Sequence, residues 1–208
     1  MRMRTFTFTL LAVLAVAGLA LAQQTQTYGW EDGTHTSLGT YGNVGVQEVV
    51  TDVVHSGTYA LHMTEDPVGG TPQVFLAWIG GLQDGDEITC SFWTYDDTPD
   101  TAPSSRIWGH YTTSDDINSY TGSASGNYDY STGIGWEEQS FTWTFDGSDP
   151  DHQAFVLEFR MYSSDGAVDY WVDDVTVTAP EYAQIIFPNM EPVTAEAGTW
   201  SGVKALYR

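Results

Sequence analysis

The stretch from Tyr170 to Thr178 limits most strongly what this chain can become. It reads Tyr-Trp-Val-Asp-Asp-Val-Thr-Val-Thr, aromatic and β-branched residues that suit a pleated, half-buried surface, with two adjacent carboxylates at its centre. Side chains alternate between faces along a strand, so one of Asp173 and Asp174 must point toward whichever face is buried. A buried carboxylate without partners is costly or simply takes up a proton, so it needs a cation or strong donors. The 208-residue chain has 28 acidic and only 6 basic residues. Side-chain cations are therefore scarce, and a structural calcium ion is the expected partner, as the usual oxygen-liganded choice.

The same charge balance restricts the function. Arg2 and Arg4 precede an apolar run from Leu10 to Leu21 that ends in Ala20-Leu21-Ala22. A charged start, a short apolar run and a small-x-small ending read as a secretory signal peptide over residues 1–22, which predicts a secreted, extracellular or cell-surface protein. The run is too short to span a bilayer, and no later segment is long enough. Beyond Ala22 four basic residues face 28 acidic ones, a net charge of −24. Nucleic acid and anionic membranes are poor partners for such a surface. Cys90 is the sole cysteine, so there is no internal disulfide, and its setting in Ile-Thr-Cys-Ser-Phe-Trp predicts a buried, inert thiol.

Along the chain, short alternating runs are separated by turn residues. A short aromatic strand running into an acidic turn is predicted over Tyr28–Gly33, and strands at Val44–Val54, Tyr59–Thr64, Val74–Ile79, Glu87–Tyr95, Arg106–Thr112, Ser140–Phe145, Ala154–Tyr162 and Tyr170–Thr178. Ala183–Phe187 reads as a last or donated strand. Residues 34–45 and 114–135, rich in Gly, Ser, Thr and Asn, read as loops, the second long enough to suggest a role of its own. No helical period extends over three turns before residue 195. Many short strands with regular turn signals predict an all-β antiparallel β-sandwich, with one domain over residues 23–182. A strand, linker and C-terminal tail follow over 183–208, Thr199 to Arg208 carrying two of the four remaining bases.

Four pieces in order resemble the family 4/9/22 type of carbohydrate-binding module, within the galactose-binding-like jelly rolls. They are Trp30-Glu-Asp-Gly33, Val54-His-Ser-Gly-Thr-Tyr-Ala-Leu61, the segment Leu82 to Trp93, and Tyr170-Trp-Val-Asp-Asp-Val175. The resemblance covers roughly residues 28 to 178 and implies a jelly roll. It also implies a structural calcium held by Glu31 and by Asp173 or Asp174, with carbonyls near Ser56 and Gly57. The fold alone hosts many unrelated roles.

Aromatic residues carry the functional signal, with 8 Trp and 12 Tyr in the chain. Sugars present apolar ring faces edged with hydroxyls, so glycan sites pair flat aromatics with polar groups. Trp93 and Tyr95 share one face of their strand, Trp108 and His110 one face of the next, and Glu158, Arg160 and Tyr162 the polar face of theirs. If those faces coincide they form one aromatic and charged surface for polysaccharide. No hydrolase signature, nucleophile elbow, phosphate loop or zinc spacing is present, so a non-catalytic binding role is expected. The alternative expectation is a homo-oligomeric extracellular subunit that binds neighbouring copies of itself, bridged by calcium into a filament, tube or layer.

Overall fold

The computed structural model describes residues 22–96, 104–131, 135–164 and 168–190. The expected signal peptide, but for Ala22, and the Thr199–Arg208 tail lie outside them. The described residues form twelve strands and no helix: β1 (Gln23–Tyr28), β2 (Gly39–Tyr41), β3 (Val44–Val50), β4 (Ala60–Glu65), β5 (Gln73–Gly80), β6 (Glu87–Asp96), β7 (Ser104–Thr112), β8 (Gly122–Gly126), β9 (Gly135–Thr144), β10 (Ala154–Tyr162), β11 (Val168–Pro180) and β12 (Gln184–Ile186).

Two antiparallel sheets pack face to face. The first runs β3-β4-β11-β6-β9, with β1 also paired to β11; the second runs β12-β5-β10-β7-β8, with β2 also paired to β5. Alternation explains the core. In β6, Ile88, Cys90 and Phe92 point inward and are fully buried; in β10, Phe155, Leu157, Phe159 and Met161 meet them from the other sheet. Phe92 and Phe159 touch across the interface at 5.4 Å between ring centroids. Burying such side chains contributes about 1.5–3 kcal/mol each. Cys90 lies in this core, where burial pushes its thiol pKa up.

Three departures from the sequence expectation have physical causes. Gln23–Thr27 reads as a polar lead but forms β1, an edge strand paired along β11 from Gln23 opposite Pro180 to Tyr28 opposite Val175, where Thr side chains bond across the exposed face. The long polar segments contain the short strands β2 and β8, which tertiary pairing selects without a hydrophobic pattern. The sandwich also runs past the expected boundary at Tyr182. Strand β12 pairs with β5, and Ala183, Ile185 and Phe187 are buried in the core.

The largest departure is in β11 itself. Its pairing with β6 shifts register between Asp173 and Thr176, and Asp174 takes φ +49. This bulge inserts one residue and reverses the alternation. Tyr170 and Val172 face the core before it, and Val175, Val177 and Ala179 face the core after it.

Candidate ligand-binding face

The outward face of the second sheet carries a cleft of about 550 Å³. Its floor comes from β5, β10 and β7, which bring Phe75, Arg160 and His110 side by side. Its walls come from segments without a core pattern: Thr40 and Tyr41 of β2, and Asn118 and Tyr120 of the loop after β7. Tyr41 and Tyr120 are 66% and 62% exposed, so each presents most of its ring to solvent. The Tyr120 and His110 ring centroids lie 5.6 Å apart, and Phe75 meets His110 edge-on at 4.9 Å.

Beneath the cleft Glu158 is fully buried. His110 Nδ1 contacts one of its oxygens, and Arg160 Nε donates to the other at 2.5 Å. Arg160 in turn lies 4.5 Å from the centre of the Trp108 ring, and Trp108 donates its indole N–H to Ser123 at 3.0 Å. The buried carboxylate is thus matched by two nitrogen groups, which fixes the Arg160 guanidinium and the His110 ring at the cleft floor. Further along the same face Arg106 stands opposite Arg160 in register, with its guanidinium 3.4 Å from the Tyr130 ring centre and 5.2 Å from that of Tyr162.

Four of the six expected ligand residues, Trp108, His110, Arg160 and Tyr162, therefore share this face. Trp93 and Tyr95 do not. They lie on β6, in the first sheet, and point out of the opposite side of the sandwich. There they join Trp136, Trp171, His55 and His62 in a continuous ring contact: Trp93 stacks under His55 at 4.0 Å, Trp171 under His62 at 5.0 Å, and Tyr95 meets both Trp136 and Trp171 edge-on. The expected single surface is two surfaces on opposite faces. Sequence reasoning missed Tyr41, Phe75, Tyr120 and Arg106; the isolated tyrosines within Gly- and Ser-rich segments are the signal that could have found the first and third.

The five expected metal residues fall into two neighbouring groups by the β11 bulge, Ser56 with Asp173 and Asp174, and Glu31 with Gly57. Asp173 is fully buried. One of its oxygens accepts the backbone N–H groups of His55 and Ser56, both at 3.1 Å, and the other accepts the Asp174 N–H at 2.8 Å. Asp174 accepts from the Ser56 hydroxyl at 2.8 Å and pairs with His55 Nδ1 at 2.7 Å. Glu31 accepts from the N–H groups of Thr58 and Tyr59 at 2.8 and 3.2 Å and packs onto Gly57. Burial pushes the Asp173 carboxyl up to about 6, against the pull of its N–H donors and with the Asp174 charge adding to the rise. Strong donors, one of the two partners the sequence argument allows, are present here. Among the described residues no group of three or more His, Cys, Asp and Glu side chains is placed to share an ion. Asp173 and Asp174 fit a hard cation in kind, as paired carboxylates with one still raised in pKa; Glu31 is turned to the amides of Thr58 and Tyr59 instead.

No protein-family model and no curated protein sequence matches the chain. Solved structures do. The xylan-binding CBM22-1 domain of Xyn10C from Paenibacillus barcinonensis superposes with a TM-score of 0.51 at 13% identity, covering 77% of this chain and 97% of that one. The tandem CBM22-1–CBM22-2 structure from the same protein gives 0.55 at 11% identity, over 78% of this chain and 47% of that one. A structure described as a promiscuous carbohydrate-binding module of the β-sandwich superfamily gives 0.50 at 20% identity, over 71% and 59%. The protein has the β-sandwich jelly-roll fold of the carbohydrate-binding modules.

Proposed function

We propose that this protein is an exported, non-catalytic binding module for polysaccharide, with the glycan lying in the cleft of the second sheet. The observation that carries the reading is the pairing of two exposed tyrosines, Tyr41 and Tyr120, across a floor of polar and aromatic groups. Flat rings at the walls stack on sugar faces, while Gln73, Asn118 and Arg160 reach hydroxyl edges. The carbohydrate-binding modules of the same fold support it. Cleavage would need two carboxylates facing each other across the ligand. Among the described residues no acid lines the cleft, and Glu158 beneath it is held by His110 and Arg160.

Calcium is a separate part of the proposal. An ion at the β11 bulge would sit on Asp173 and Asp174 and would supply charge compensation for the buried carboxylate.

The test is affinity electrophoresis and pull-down against a panel of soluble and insoluble polysaccharides, with Tyr41→Ala and Tyr120→Ala alongside. A true contact should lose about 2 kcal/mol, thirty-fold in affinity, on truncation, at an unchanged melting temperature. No binding across the panel, with sedimentation showing large calcium-dependent assemblies, would overturn the reading in favour of the self-assembling subunit.

A further inference from the structure

Arg106 and Arg160 are the only Lys or Arg residues among the described residues, and they are cross-strand register partners on one face. Like charges placed directly opposite each other repel, so this placement needs a reason. Arg160 is neutralised by Glu158 at 2.5 Å. Among the described residues nothing neutralises Arg106 in the same way. In a chain with 28 acids, no described carboxylate lies within ion-pair distance of it and no described acceptor takes a hydrogen bond from it. Its Nε is buried without a partner. A guanidinium in that state has unused donors, and because its Nε is closed to solvent a ligand meets its terminal Nη groups.

The setting says what kind of acceptor fits. Tyr130 lies 3.4 Å from the guanidinium carbon and Tyr162 5.2 Å, and the two rings meet edge-on at 5.1 Å. The tyrosine faces hold the guanidinium plane by cation–π contact. Its N–H donors point along its edge. A planar fork of N–H donors is the shape that takes a planar carboxylate through two parallel hydrogen bonds. Tyr130 is 42% exposed, and the part of its ring that the guanidinium leaves uncovered is available to an apolar sugar face. A six-membered sugar with a carboxylate on its ring supplies both contacts at once.

We propose that Arg106, clamped by Tyr130 and Tyr162, is a carboxylate subsite for a polysaccharide bearing uronic acid residues, next to the cleft where Arg160 lines the floor. This rests on the reading of that face as polysaccharide-binding. The acidic body of the protein repels a densely charged polyanion, but that repulsion is screened beyond about 8 Å at physiological ionic strength. The matching ligand is therefore a neutral backbone with sparse uronate substituents.

The experiment uses the full chain and two forms of one polymer: a xylan carrying glucuronic acid substituents, and the same xylan after chemical reduction of its carboxyls to hydroxyls. Titration calorimetry with the native protein should show at least ten-fold tighter binding to the acidic form. Arg106→Gln should bring the acidic form down to the affinity of the reduced one, leave the reduced form within two-fold, and keep the melting temperature. Arg106→Lys, a point charge without the fork, should recover only part of the preference. Equal affinity of the native protein for both forms would overturn the subsite and leave the polysaccharide reading standing. An equal loss toward both forms in Arg106→Gln would show that Arg106 merely supports Tyr130. A sulfated polymer competing as well as the uronate would show recognition of charge and not of carboxylate. Binding to neither form would overturn both readings. A self-association abolished by Arg106→Gln would place the acceptor on a second copy of the chain.

Discussion

Two glycines with positive φ, Gly57 at +66 and Gly85 at +87, provide an internal control for the clasp at the β11 bulge. An L side chain in this conformation is strained by about 1–2 kcal/mol wherever it occurs. At Gly85 nothing lies within 4 Å of the place a Cβ would take, so Gly85→Ala should cost that strain and little more. At Gly57 the added carbon would stand 2.2 Å from Glu31 Oε1 and 2.7 Å from its Cδ. The Glu31 carboxylate must move, and with it go the bonds it accepts from Thr58 and Tyr59. Hydrogen bonds to a charged group contribute about 1.5–3 kcal/mol when buried, and water at this exposed rim replaces part of that, leaving about 1 kcal/mol each. Gly57→Ala should therefore cost about 3–4 kcal/mol, roughly 2 more than Gly85→Ala, a gap of about 4–8 °C in melting temperature for a domain of this size. Urea titration of both variants, and of Gly57→Ala in a Glu31→Ala background, is the assay. In that background the excess should vanish, a coupling of about 2 kcal/mol. Equal losses at the two glycines, or no coupling, would refute the reasoning.

The Asp173 carboxyl, raised by burial from 3.8 to about 6, carries a stability contribution with a definite sign. Its proton is held more tightly folded than unfolded, so the contribution is present below about pH 4 and lost as pH rises through about 6, a change of roughly 3 kcal/mol. The stability difference between the native protein and Asp173→Asn should fall by that amount between about pH 3.5 and 7.5; a flat difference would mean the folded carboxyl is not raised. Calcium at the same place should raise the melting temperature at neutral pH by compensating this charge; a melting curve that a chelator leaves unmoved would remove the ion from the account. Cys90, buried in the core, should resist thiol reagents in the native state and react at full rate in denaturant; fast native labelling would contradict its placement.

Most of the fold was legible because a sandwich repeats one rule. Alternation places Ile88, Cys90 and Phe92 against Phe155, Leu157 and Phe159 without any knowledge of which strands pair. Which sheet a strand joins is a different matter, since it depends on pairing between residues far apart in sequence. That is why Trp93 and Tyr95, correctly read as facing outward, were expected beside Trp108 and His110 and lie on the other side of the molecule. Short strands such as β2 are chosen by a neighbour's free edge, so Tyr41 reached the cleft unannounced. Arg106 was equally hidden. An isolated arginine at a strand start reads as a solvated charge until its register partner is known to be the only other described cation.

The acidic pair at the centre of β11 has an explanation that alternation alone does not supply. On one edge, β11 pairs with β4 through Val172, opposite Leu61, and with β1 from Val175, opposite Tyr28. Two partner strands therefore meet end to end along that edge, and the junction falls at Asp173 and Asp174. Strand ends leave backbone N–H groups without ladder partners, and buried ones must be satisfied. The segment leading into β4 brings two such groups, from His55 and Ser56, to the junction, and Asp173 accepts both. The bulge at Asp174 is what allows this. It keeps valines directed into the core on both sides of the junction while the two carboxylates turn to the loop that the strand ends deliver. A regular strand there would send every inward residue on one side of the junction out to solvent. The pair thus marks a change of partner in the sheet, and any ion it holds would be added to a joint that hydrogen bonds already close.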